Sequence, residues 1–334
     1  MNILITGSGG FIGGHLVKRL SETSDNIITA DLKPLDQWFQ VTEKNNVKNF
    51  HSMDLRSQEN CKKVITDVNV VFNLACDHGG IGHIMNNSLE SMKDILINTN
   101  LIIESSRNKV SKFLFSSSAC VYNTSLQESV SDMRALKESD AYPAQPDSQY
   151  GWEKLFSEML CMEHQKEFGI KVYLPRIHGC YGPNNHFDDG KEKAPNALIR
   201  KSIEAKLLDK DSIDVWGDGK QTRSFMYVDD CIEGLLKLLD SDHHEPINLG
   251  NNNMVSIDEC VDVINQINNS NLKKNYQINE TQGVRARNSD NSKLIEVLNW
   301  EPKISISQGF EKLYNYLYPL VENKISNNSD GKNE

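Results

Sequence analysis

Tyr150 and Lys154 close the run Tyr-Gly-Trp-Glu-Lys, a spacing that on a helix puts both side chains on one face, one turn apart. A lysine ammonium held beside a phenol favours the phenolate; unaided, tyrosine titrates near ~10 and is a poor base at neutral pH. Upstream the chain reads Ser116-Ser-Ser-Ala-Cys120. The two runs together join redox chemistry at a hydroxyl to a candidate thiol base.

Such chemistry needs an electron carrier, and the first residues supply a cradle for one. The apolar run Asn2 to Thr6 leads into Gly7-Ser-Gly-Gly10-Phe11-Ile12-Gly13, and a helical pattern follows through Leu20. Glycines at this spacing let the backbone turn tightly and approach a pyrophosphate, with a helix N-terminus facing the anion. The next strand, from Asn26, ends at Asp31, whose carboxylate can accept from ribose hydroxyls and would repel a 2′-phosphate. The expected cofactor is therefore NAD rather than NADP.

Further strand-like runs at 69–74, 112–116 and 168–174 alternate with helical stretches near 57–66, 88–108 and around Tyr150. This alternation predicts an α/β fold, a Rossmann doubly wound parallel sheet over residues 1–182. Beyond Gly182 the pattern loosens into a smaller C-terminal substrate-binding lobe, 183–322, with a possible return to the sheet near 228–250. Residues 323–334 are polar, rich in Asn, Ser, Lys and Asp, and predict a disordered tail.

The 334 residues are 38% hydrophobic and 25% charged, the composition of a globular protein, with net charge -10. That charge argues against nucleic acid or an anionic membrane as partner. The N-terminus lacks a signal-peptide pattern and no apolar run approaches spanning length, so a cytoplasmic location is expected. The seven cysteines are scattered without a C-x-x-C pair, which suggests neither a disulfide framework nor a metal site.

The glycine turn, Asn73-Leu-Ala75, Ser116-Ser-Ser118 and Tyr150-x-x-x-Lys154 together resemble the extended short-chain dehydrogenase/reductase family, in order and spacing, over nearly the whole chain. The resemblance implies that Ser118 hydrogen-bonds the reacting hydroxyl, that Tyr150 removes its proton, and that Lys154 holds the nicotinamide ribose and lowers the tyrosine pKa. It also implies cofactor contacts at Gly7, Gly10, Phe11, Ile12, Gly13, Asp31 and Ala75, and near the adenine at Asp54 and Leu55. Helical stretches at 85–108 and 148–167 imply a homodimer with a four-helix interface.

A narrower resemblance, to the members of that family that epimerise GDP-mannose, lies in Asp77-His-Gly79-Gly-Ile-Gly82, Cys120, Gly190-Lys-Glu-Lys193-Ala-Pro195, Trp216-Gly-Asp-Gly-Lys-Gln221-Thr-Arg223 and the stretch from Gly283 to Asp290. It implies a nucleotide-diphosphate sugar as partner, oxidised transiently at C4. The ketone acidifies the neighbouring C–H bonds at C3 and C5, with Cys120 as base and Lys193 as acid. Gly79, Lys201, Gln221, Arg223 and Arg287 would line the same site, arginine's planar fork suiting phosphate oxygens.

Two departures stand out. Gly179 occupies the place of an asparagine, which removes an amide from the sugar site, and His78 and His83 stand where apolar side chains are typical. A nucleotide-sugar 4-epimerase would share Ser118, Tyr150 and Lys154 but rotate the keto sugar, needing neither Cys120 nor Lys193. A 4,6-dehydratase would carry an Asp-Glu pair where Ala119-Cys120 stands. A non-catalytic NAD-binding protein would have no reason to keep Ser118, Tyr150 and Lys154 together.

Overall fold

The computed structural model describes residues 1–23, 26–40, 49–129 and 134–330. Its centre is a parallel sheet of β1 (Asn2–Thr6), β2 (Asn26–Asp31), β3 (Asn49–Ser52), β4 (Val70–Asn73), β5 (Lys112–Phe115), β6 (Ser117–Ser118), β7 (Lys171–Ile177) and β8 (Pro246–Leu249). The strand order is β8-β7-β5-β4-β1-β2-β3, with β6 also on β7. Ile3 pairs with Val70, Val71 with Phe113 and Phe113 with Val172, so the central strands are buried on both faces and read as continuous apolar runs. The order reverses between β1 and β4, which opens a crevice at their carboxyl ends.

Ten α-helices occur among the described residues: α1 (Phe11–Leu20), α2 (Gln58–Val64), α3 (Ile81–Asn86), α4 (Ser88–Arg107), α5 (Gln149–Phe168), α6 (Ala194–Leu207), α7 (Val228–Leu239), α8 (Ile257–Asn268), α9 (Ser292–Leu298) and α10 (Ile306–Asp330). α5 starts where Ser148 accepts from the Gly151 amide at 3.3 Å and stops at Gly169, a left-handed position with φ +73°. Ser256 and Glu259 form a capping box on α8.

The second lobe is not one stretch of chain. Its four-stranded sheet runs Val255–Ser256, Thr222–Arg223, Ala286–Ser289, Ala135–Leu136, so a piece from before α5 closes it. A second, two-stranded sheet pairs Ser212–Trp216 with Lys273–Gln277. Between these segments α7 and β8 go back to the main sheet, Ile247 pairing with Pro175. The polar stretch expected to be disordered from residue 323 instead continues α10 as far as Asp330, and residues 331–334 lie outside the described residues. The reason is packing: Val321 is buried, Ile325 lies against the core, and Lys324 pairs with Asp188.

Candidate active site

The glycine turn is compact enough that its residue types follow from geometry. Gly7 sits at φ +68°, and a Cβ on Gly13 would meet the Gly7 carbonyl oxygen at 2.1 Å. The Gly10 amide donates to that same carbonyl at 3.0 Å and Gly10 caps α1, whose first residues are Phe11 and Ile12. Asp31 accepts from the Gly9 and Lys33 amides at 2.9 and 2.7 Å, which fixes its carboxylate beside the turn. Asp54 is engaged by Arg56 at 2.7 Å and Leu55 is buried in the core. Ala75 donates its amide to Thr6 Oγ1 at 3.2 Å.

Ser118 ends β6, and its hydroxyl accepts from the Cys120 amide at 3.2 Å and hydrogen-bonds the Tyr150 phenol. Lys154 lies wholly inside the protein, its ammonium 5.4 Å from the centre of the Tyr150 ring and 4.8 Å from that of Phe115. Its Nζ has no hydrogen-bond partner among the described residues and its nearest carboxylate oxygen, on Glu153, is 3.8 Å away. An unsatisfied buried cation beside a glycine cradle fits a ribose-bearing dinucleotide. Burial would lower the lysine pKa, but Glu153 and the neighbouring acidic groups win and raise it.

The Tyr150 pKa differs from the sequence expectation. Burial pushes the phenol well above its ordinary value, Cys76, Cys120 and Glu153 add to the rise, and the Ser118 hydrogen bond opposes it. The lysine lies over the ring rather than at its oxygen, so without cofactor and substrate the phenol keeps its proton.

Every residue expected to touch substrate, Gly79, Ser118, Cys120, Lys193, Lys201, Gln221, Arg223 and Arg287, lines a single cavity of ≈ 510 Å³ with Tyr150. The Arg287 guanidinium donates to Cys120 Sγ at 3.1 Å and to Asp147 at 2.6 Å. Burial, with Asp147, pushes the thiol pKa up; Arg287, Ser118 and Lys193 pull it back. Lys193 donates to the Cys180 carbonyl at 3.4 Å from the residue preceding α6. Arg223 is drawn down to about 10 by burial and by the Arg287 cation, a crowding of positive charge suited to an anion. Lys201 donates to the Asp214 carbonyl at 2.9 Å and lies 6.0 Å from the Trp216 ring, farther along the cavity.

Three groups escaped the sequence reading. Asp147 orients Arg287, yet an isolated acid before a helix carries no mark in a single sequence. A buried chain runs from Thr6 through Asn73 and Asn98 to Ser157 and Glu153 behind Lys154, joining four elements far apart in the chain. Asp94 on α4 has its pKa raised by burial to about 7, opposed by Lys154.

Residues 3–250 match the model of the NAD dependent epimerase/dehydratase family. The chain belongs to that family. The chain is similar to GDP-mannose 3,5-epimerase of Arabidopsis thaliana, 39% identical over 331 residues, 99% of this chain and 85% of that protein. GDP-mannose 3,5-epimerase 1 of rice, Oryza sativa subsp. indica, is 40% identical over 333 residues, with the same coverage. Among solved structures, UDP-glucuronic acid 4-epimerase of Bacillus cereus, in complex with UDP-glucuronic acid and NAD, superposes with TM-score 0.82 at 29% identity, covering 96% of this chain and 100% of that one. Ile12, next to the glycine turn, lines the same cavity as Ser118 and Tyr150. No helix among the described residues is long and apolar enough to cross a membrane, and no cluster of metal-ligating side chains occurs among them.

Proposed function

We propose that the protein is an NAD-dependent nucleotide-sugar epimerase that inverts GDP-mannose at C3, C5 or both through a transient 4-ketone. The observation that carries this reading is the presence of Cys120 and Lys193 in the same cavity as Ser118 and Tyr150, with Arg287 donating to the thiol. Likeness to the plant GDP-mannose 3,5-epimerases supports it.

Bound NAD would supply a reversible hydride acceptor for C4, with no net consumption. Gly7, Gly10, Gly13 and Asp31 would hold its adenosine and pyrophosphate, and Lys154 its nicotinamide ribose. Ser118 orients the C4 hydroxyl and Tyr150 takes its proton. The ketone lets Cys120 withdraw a proton from the adjacent carbon while Lys193 delivers one to the opposite face. Arg287 steadies the thiolate by its charge and Asp147 keeps the guanidinium in line. Arg223 and Lys201 would meet the diphosphate. Tyr150 then gives the proton back to the C4 oxygen.

The rival reading, a 4-epimerase like the Bacillus cereus protein, uses the same hydroxyl chemistry without breaking a C–H bond at C3 or C5. Incubation with GDP-mannose in deuterated water separates the two by NMR. Deuterium at C3 or C5 is expected; its absence with C4 inversion intact would hand the assignment to the rival.

We also read the molecule as a homodimer. Leu89, Met92 and Leu96 on α4 and Trp152, Phe156 and Met159 on α5 are exposed, each set on one helix face.

A further inference from the structure

The two histidines of the glycine-rich loop have separate places. His78 lines the same cavity as Cys120 and Lys193, and its ring stacks on Tyr150, centroids 5.1 Å apart and planes 29° from parallel. Its Nδ1 is buried without a hydrogen-bond partner among the described residues. The ring is neutral: burial holds its pKa well below the ordinary histidine value, and the Lys193 and Lys154 charges push the same way.

The loop that carries it is tied down on both sides. The Asp77 amide donates to Asp94 at 2.9 Å, and the Asp77 carboxylate takes His83 at 3.1 Å and Lys191 at 3.2 Å. The Gly80 amide donates to the Lys191 carbonyl at 2.8 Å, so the His78 loop and the Lys193 loop are held as one unit. His83, the second unusual histidine, is thus part of the clamp rather than of the cavity lining.

Gly179 lines the cavity too, at φ +43°, and a Cβ there would meet the Ser224 carbonyl oxygen at 2.6 Å. Position 179 can offer no side chain without moving backbone.

We propose that His78 is a specificity-determining residue that hydrogen-bonds a hydroxyl of the hexose ring, taking over the polar contact missing at Gly179. The proposal rests on the nucleotide-sugar reading of the cavity. A neutral imidazole presents one N–H and one acceptor nitrogen, which matches a hydroxyl that both donates and accepts. Stacking on Tyr150 places that contact beside the hydroxyl whose proton the tyrosine takes. A hydroxyl paired with the imidazole discriminates because a sugar lacking it would leave a ring nitrogen unpaired in the closed site.

The test uses the NAD-loaded protein and calorimetric binding of GDP-mannose, GDP and monodeoxy GDP-mannose analogues to wild type, His78→Met and His78→Gln. His78→Met should weaken GDP-mannose roughly 10-fold with GDP unchanged, and His78→Gln should recover most of the loss. One analogue should bind worse than GDP-mannose to wild type yet equally well to His78→Met. Equal losses for GDP and GDP-mannose, no loss for either, or lowered NAD retention in place of sugar affinity would overturn the proposal. If wild type binds GDP-mannose no better than GDP, the substrate reading fails instead. The same comparison with UDP-glucuronic acid and UDP then decides His78 on its own.

Discussion

Cys120 shows how one residue's surroundings set its chemistry. Desolvation alone would leave an inert thiol, and the Asp147 charge deepens that, but the Arg287 guanidinium bonded to both draws the thiol back toward ionisation. Since the net pKa is raised, the thiolate fraction grows as pH rises, and proton exchange at carbon should climb with pH into the alkaline range. Arg287→Gln removes the cation and should move that limb to still higher pH, read as deuterium incorporation against pH. Cys120→Ala should lose exchange by about 100-fold or more while still reducing NAD in the presence of substrate, since Ser118, Tyr150 and Lys154 are untouched. Exchange at the wild-type rate in Cys120→Ala would reduce Cys120 to a packing residue. The sequence carried the types and order of these groups. It could not carry the pKa of Tyr150, because burial and neighbouring thiols are properties of the folded cavity rather than of Tyr-x-x-x-Lys.

At the level of elements, α-β alternation made the central sheet legible, since buried parallel strands are apolar throughout. The second lobe was far less so: Ala135–Leu136, Thr222–Arg223 and Ala286–Ser289 are too short to show a period and pair across long separations. Where β7 leaves the sheet, His178 illustrates a cost hidden in such junctions. It is 1% exposed and bonded to Asn248 at 2.9 Å, and burial lowers its pKa from 6.5 to about 4, only partly offset by that bond. With the folded pKa depressed, the unfolded chain binds a proton first as pH falls, so stability is complete above about 6.5 and is lost on the way down to about 4. The shift corresponds to roughly 3 kcal/mol. Asn248 Oδ1 also takes the Tyr122 hydroxyl, so the imidazole serves as donor and glutamine can replace it. His178→Gln should therefore flatten the fall in Tm between pH 6.5 and pH 4, measured by calorimetry, and an unchanged slope would mean that other groups govern acid unfolding.

The whole molecule is organised around two helices that are turned inside out. α5 buries Tyr150, Glu153, Lys154, Ser157 and Glu158 and exposes Trp152, Phe156 and Met159, the reverse of an ordinary surface helix. The N-terminal half of α4 does the same, burying Ser91, Asp94 and Asn98 beneath exposed Leu89, Met92 and Leu96. The inner polar face exists because it carries the network behind Lys154, and the outer apolar face then needs a cover. α4 and α5 pack on each other, so their apolar faces adjoin and a second copy related by a two-fold axis would bury both pairs at once. Most of these side chains are roughly half exposed, so covering each contributes about half of the ~1.5–3 kcal/mol of full burial, which draws the two faces together. Light scattering at micromolar concentration should give twice the chain mass. Trp152→Glu together with Leu96→Glu should give a monomer, because two carboxylates would be desolvated in each copy of the seam. The monomer should also lose thermal stability, since the network behind Lys154 sits on the same two helices. A wild-type monomer, or a double variant that stays dimeric, would mean that these faces are covered by something other than a second copy.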